Sequence, residues 1–211
     1  NSAKIVICPP FTALSSLIQK SNKVIKFGAQ DVHHEEKGAF TGSISASMLN
    51  QLGVKFVIIG HSERRQYQKE SISELSKKIN IALSNNLRVI FCIGETLDEI
   101  KKRSLILKRQ LTSLPAKFSS KNIIIAYEPV WAIGTGKTPT IKEINTIHKS
   151  IRKMISKKIG KEAFKISILY GGSVNQNNSK DILNLSDVDG ALVGGASLKS
   201  KDFCKIIDSS N

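Results

Sequence analysis

Seven short runs of β-branched and aliphatic residues recur along the 211-residue chain, at spacings that leave room for a helix between most pairs. They are Ile5–Cys8, Val24–Phe27, Phe56–Ile59, Val89–Ile93, Ile123–Ala126, Ile166–Leu169 and Gly190–Val193. A strand with one solvated face alternates apolar with polar residues, whereas these runs are apolar but for Lys26 and Ser167 and therefore need cover on both faces. Sheets covered on both faces are parallel sheets wrapped by their own crossover helices. The intervening segments carry helix-start signals: Ser71-x-x-Glu74, Thr96-x-x-Glu99 and Thr140-x-x-Glu143 each have the capping-box form. The third opens a stripe of Ile141, Ile144, Ile147, Ile151, Met154 and Ile155 at helical spacing, closed by Gly160. No Pro-, Gly- or Ser-rich linker interrupts the alternation, so residues 1–211 read as a single α/β domain.

The polar residues choose between the two parallel architectures. His61, Ser62 and Glu63 follow the third run, Glu95 the fourth, Glu128 the fifth and Ser173 the sixth. An active face assembled from the ends of several strands is what a closed (β/α)8 barrel offers, whereas an open doubly wound sheet concentrates its site at one switch point. The expected fold is therefore a (β/α)8 barrel, of which about seven strands are present in these residues.

Composition excludes more than it selects. No apolar run approaches the ~18 residues of a membrane span, and Asn1-Ser2-Ala3-Lys4 lacks the pattern of a secretory signal, so a cytoplasmic protein is expected. Cys8, Cys92 and Cys204 are odd in number and two lie in apolar runs, which favours packed thiols over a disulfide framework. The formal charge of +15 comes from lysines scattered along the sequence without an aromatic-interleaved stripe. Neither a nucleic-acid nor a membrane partner is expected.

The stretch AYEPVWAIGTGKT, residues 126 to 138, ends like a phosphate-binding P-loop, yet Trp131 stands where that motif needs its first glycine. A dinucleotide fingerprint fails at Pro139. What remains is a stiff start at Pro129, an apolar tip of Val130, Trp131, Ala132 and Ile133, and small hinge residues, which suits either a packed surface loop or a lid that excludes water. Beneath such a lid Glu128 would be desolvated and its basicity raised towards that of a general base. His61 precedes a helix start, where the positive end of the dipole disfavours imidazolium and leaves a neutral ring able to donate a hydrogen bond. His33-His34-Glu35-Glu36 looks like a metal cluster, but adjacent side chains need not converge, and no metal is expected. Gly171-Gly172-Ser173 and Gly194-Gly195 follow the last two runs, the position of the recurring phosphate site of barrels.

With CPPFTAL (8 to 14), GAQDV and GAFTG (28 to 42), GHSERR (60 to 65), CIGET (92 to 96), YGGSV (170 to 174) and ALVGGASL (191 to 198) added, nearly the whole chain resembles the triosephosphate isomerase family. The resemblance implies interconversion of dihydroxyacetone phosphate and glyceraldehyde 3-phosphate through an enediolate. Glu128 would be the base, His61 the neutral electrophile and Glu63 a supporting carboxylate. Residues 129 to 139 would form the lid, and Gly134, Ser173, Gly194 and Gly195 would bind the phosphate. It implies no cofactor, and a homodimer through the loop carrying Thr41. The family's opening strand with its Asn-x-Lys motif has no counterpart here, and the segment from Glu99 to Arg109 is short for the family. The 211 residues are accordingly expected to lack the first βα unit and, alone, to be inactive. A non-catalytic relative that keeps the phosphate pocket, and a nucleic-acid binder driven by the positive charge, are the competing readings.

Overall fold

The computed structural model describes residues 3–133 and 138–210. Seven parallel strands form one sheet whose spatial order follows the sequence: β1 (Ile5–Ile7), β2 (Ile25–Ala29), β3 (Phe56–Ile59), β4 (Arg88–Ile93), β5 (Ile123–Tyr127), β6 (Ile168–Tyr170) and β7 (Gly190–Ala191), with β1 and β7 at its edges. This is the seven-strand, incomplete form of the barrel that the sequence implies. Every neighbouring pair is parallel, and the longest ladder joins Val89–Ile93 to Ile123–Tyr127. The covering helices are α1 (Phe11–Ile18), α2 (Ala46–Gln51), α3 (Ser62–Tyr67), α4 (Ile72–Ser84), α5 (Arg103–Gln110), α6 (Ile141–Ile159), α7 (Ser179–Leu183) and α8 (Ser200–Asp208).

Period-two alternation within the apolar strands divides the core in two. Along β4 and β5, Val89, Phe91, Ile93, Ile123, Ile125 and Tyr127 point outward to the helices. Ile90, Cys92, Ile124 and Ala126, with Ile58, fill the inner side of the curved sheet against Cys8, Phe56, Leu169 and Leu192. Both sets are buried, each full-size aliphatic side chain contributing roughly 1.5 to 3 kcal/mol of transfer free energy. That two-sided burial is why the runs are almost wholly apolar.

The start signals act as their spacing requires. Thr140 and Glu143 cap α6 reciprocally: the Glu143 N–H donates to the Thr140 hydroxyl at 3.3 Å, and the Thr140 N–H donates to Glu143 Oε2 at 2.8 Å. Ser71 caps α4 through the Glu74 N–H at 3.1 Å. Thr96 and Glu99 open a 3₁₀ turn, Leu97–Lys102, that runs into α5. On α6, Ile144, Ile147, Ile151 and Ile155 are buried as the stripe requires, and Gly160 ends the helix at a φ of 60°. Ile141 is exposed at the first turn, while His148 and Arg152 share the buried face.

Candidate active site

His61, Glu95, Glu128 and Ser173 all stand just past the C-terminal ends of β3, β4, β5 and β6, so parallel topology alone gathers them at one end of the sheet. Glu128 is 2 % exposed. Its Oε2 accepts the Ser62 N–H at 2.9 Å, and its Oε1 lies 3.0 Å from His61 Nε2. No hydrogen bond forms across that second contact, which leaves Oε1 buried without a donor among the described residues. Burial pushes the Glu128 carboxyl above its ordinary range. The His61 ring, the Ser62 N–H, the Arg65 guanidinium and the Cys92 thiol hold it back in part. Desolvation of this kind raises the basicity of a carboxylate, as a general base requires.

His61 is the N-cap residue of α3, and its Nδ1 accepts the Glu63 N–H at 3.4 Å. A ring that accepts at Nδ1 carries its proton, when neutral, on Nε2, the atom facing Glu128. Arg65 fixes this corner: its Nε donates to the Gly60 carbonyl at 2.7 Å, its Nη2 to the Cys92 carbonyl, and its guanidinium lies 5.6 Å from the centroid of the Phe91 ring. Glu63 contributes its backbone more than its carboxylate. Its side chain is 69 % exposed and 3.7 Å from His61 Nδ1.

The backbone beneath Glu128 is held by residues from β4 and α5. The Glu128 N–H donates to the Ile93 carbonyl at 2.8 Å, and a methyl group on Gly94 would sit 1.7 Å from the Glu128 carbonyl oxygen. Gln110 clamps Gly94 with its side-chain amide, which accepts the Gly94 N–H at 2.8 Å and donates to the Gly94 carbonyl at 2.7 Å. Next along the chain, the fully buried Glu95 takes Arg103 Nε at 2.7 Å, Tyr127 OH at 3.0 Å and Trp131 Nε1 at 3.1 Å on its Oε1. The start of the candidate lid is therefore tied to the same strand end that supports Glu128.

Of the expected phosphate ligands, Ser173 donates its hydroxyl to the Ala132 carbonyl at 2.7 Å, which places it against the lid segment. Gly194 and Gly195 open a 3₁₀ turn, Gly195–Leu198, with empty space where their side chains would be. Gly134 lies outside the described residues. Thr41 sits in a turn closed by the Ser43 N–H on the Phe40 carbonyl at 2.9 Å, within an exposed stretch from 36 to 43. Gln110 carries no signal in the sequence, because its role depends on contact with a residue 16 positions away. Glu95 shows in the sequence only as a polar residue just past an apolar run.

A parallel barrel sheet that sets a buried carboxylate against a histidine, at the end where its glycine turns gather, has the form of a (β/α)-barrel enzyme with a pair of groups suited to proton transfer. Its sequence profile match is specific: residues 1–210 fit the family described as triosephosphate isomerase. The chain belongs to the triosephosphate isomerase family. It is 46 % identical over 214 residues to the triosephosphate isomerase of Alkaliphilus oremlandii, covering 97 % of this chain and 86 % of that protein. It is 49 % identical over 211 residues to that of Phocaeicola vulgatus, covering 97 % and 84 %. The crystal structure of triosephosphate isomerase from Bartonella henselae superposes with a TM-score of 0.91 at 41 % identity, over 98 % of this chain and 85 % of that one. Homology at this level assigns an isomerase activity on a triose phosphate.

Proposed function

We propose that Glu128 and His61 carry out the proton transfers of this isomerisation. Glu128 removes a proton from the carbon beside the substrate carbonyl while the His61 Nε2–H donates to the carbonyl oxygen, giving an enediolate. The same carboxyl returns the proton to the neighbouring carbon as the hydroxyl proton moves between the two oxygens through His61. No electron leaves the substrate, so no cofactor is needed. Ser173 and the N–H groups of Gly194 and Gly195, with Gly134 from the lid, hold the phosphate. Residues 129 to 139 close over the intermediate and exclude the water that would favour loss of phosphate.

The observation that supports this reading is the donor-free Glu128 Oε1, buried and 3.0 Å from His61 Nε2. With the family's first βα unit joined ahead of residue 1, replacing Glu128→Ala is expected to lower turnover by about 10²- to 10⁴-fold with little change in thermal midpoint. Unchanged turnover in an assay started from either triose phosphate would remove Glu128 as the base. The exposed Thr41 turn suits insertion into a second copy, so sedimentation should give the mass of a homodimer, and a monomer at micromolar concentration would exclude that assembly. Three free cysteines suit a reducing, cytoplasmic setting.

A further inference from the structure

The two ends of the sheet differ in charge. Segments leaving the strands at the active-site end (30–45, 60–71, 94–103, 128–140, 171–178 and 192–199) hold nine acidic and nine basic residues. Segments entering β2 to β6 at the opposite end (19–24, 51–55, 84–88, 111–122 and 156–167) hold ten lysines and arginines against one carboxylate, Glu162. Only Lys165 of the ten has a carboxylate partner among the described residues, Glu162 at 3.0 Å. The loop entering β7 adds Asp187 and Asp189, and both face Arg152.

These cations form one surface because strand pairing brings their loops together. The Arg88 N–H donates to the Lys55 carbonyl at 2.8 Å, and the Val89 N–H donates to the Asn122 carbonyl at 2.8 Å. The Arg88 guanidinium reaches the Ser120 carbonyl at 2.6 Å, and the Ser120 hydroxyl donates to Glu162 at 3.2 Å. Lysines in the last turn of a helix offset its dipole, which accounts for Lys157 and Lys158. That explanation does not reach Lys23, Lys55, Arg88 or Lys121, which lie before or at strand starts. Attraction of the substrate does not account for them either, since the site lies at the other end. The same loops expose apolar side chains: Val24 is 51 % exposed, Leu52 36 % and Phe164 71 %.

We propose that this face docks on an anionic phospholipid surface, with its lysines over the headgroup phosphates and Val24, Leu52 and Phe164 entering the headgroup layer. The absence of a membrane-spanning helix among the described residues does not bear on it, because peripheral docking needs only charge and a few inserted apolar groups. A nucleic acid fits less well. The face has nine lysines and one arginine, and that arginine is already engaged by the Ser120 carbonyl and lies over the Phe56 ring. Recognition of a nucleic-acid strand uses arginine forks and stacked aromatic platforms, of which Phe164 alone is too little.

Sedimentation with vesicles of phosphatidylcholine, alone or mixed with phosphatidylglycerol, tests the proposal. Binding is expected to the mixed vesicles only and to weaken with salt. Each lysine near such a surface changes partition about five-fold, so the triple variant Lys55→Glu, Lys121→Glu, Lys161→Glu should lose about a hundred-fold or more. Lys101→Glu, Lys102→Glu, Lys142→Glu makes the same change in net charge at the other end and should lose under about three-fold. Phe164→Ser should release the chain from mixed vesicles at lower salt. Equal losses in the two triples, no binding to the mixed vesicles, or preferential capture by single-stranded RNA in competition would each overturn the proposal. If the first triple does not fold, unchanged retention of Phe164→Ser overturns it.

Discussion

Gly94→Ala places a methyl group against the backbone that carries Glu128, and its effect can be worked from distances alone. The new Cβ would lie 1.7 Å from the Glu128 carbonyl oxygen, 2.7 Å from its carbonyl carbon and 3.3 Å from its Cα, all of them backbone atoms that no rotamer change can move. Real contacts of this kind stay above 3.0 Å, so the ends of β4 and β5 must part by about 1.3 Å. Gly94 has no positive φ, so the cost is wholly steric. Overpacking of a tight interior costs about 1 to 3 kcal/mol, and a displacement of about 1 Å at a reacting group costs about 10²-fold in rate. Turnover should therefore fall about a hundred-fold while far-ultraviolet circular dichroism keeps its shape and the thermal midpoint drops by several degrees. Gly171→Ala offers the milder comparison, since its nearest atom would be Glu128 Cγ at 2.9 Å, part of a side chain that can turn. A Gly94→Ala protein with full turnover would refute the claim that this packing positions Glu128 for the reaction.

Gln110→Ala removes both hydrogen bonds to Gly94 and should reduce kcat more than it raises KM, because the groups that move are those beneath Glu128; an equal effect on KM alone would contradict this. His148 is fully buried, and burial pulls its imidazole down to about 4 from 6.5, with Asp187, Asp189 and Arg152 nearby. Between those values the unfolded chain takes up a proton that the folded chain excludes, so stability is complete above pH 6.5 and falls by about 3 kcal/mol as pH drops to 4. Urea midpoints across that interval should show the slope, and His148→Phe should flatten it.

The strands were legible because a two-sided core leaves no room for polar residues, and most limits lie within two residues of the apolar runs. β6 shows where the pattern misleads. Ile166 looks like its first residue but belongs to the end of the preceding 3₁₀ turn, its N–H donating to the Ala163 carbonyl at 3.2 Å, so the strand starts at Ile168. Its true last residue, Tyr170, is buried with its hydroxyl unpaired among the described residues, which apolarity alone would not suggest. The strand-end placement of His61 and Glu128 was legible because each follows an apolar run. Gln110, His148 and Arg152 were not, because each is a polar residue on a helix whose partner is fixed only by tertiary packing. The charged end of the sheet was illegible for a related reason: its lysines lie in loops far apart in sequence, and parallel pairing makes them neighbours.

Glu95 has one more property. Its Oε1 is offered more donors than one oxygen needs, from Arg103, Tyr127 and Trp131 together. If the segment carrying Trp131 swings away, the carboxylate keeps two of the three and no bare charge is stranded in the interior. At this anchor the motion gives up one charge-assisted hydrogen bond, roughly 1.5 to 3 kcal/mol, in place of the several kcal/mol of an uncompensated buried ion. A surplus of partners at a fixed anchor is thus a way to make a loop easy to detach and quick to return.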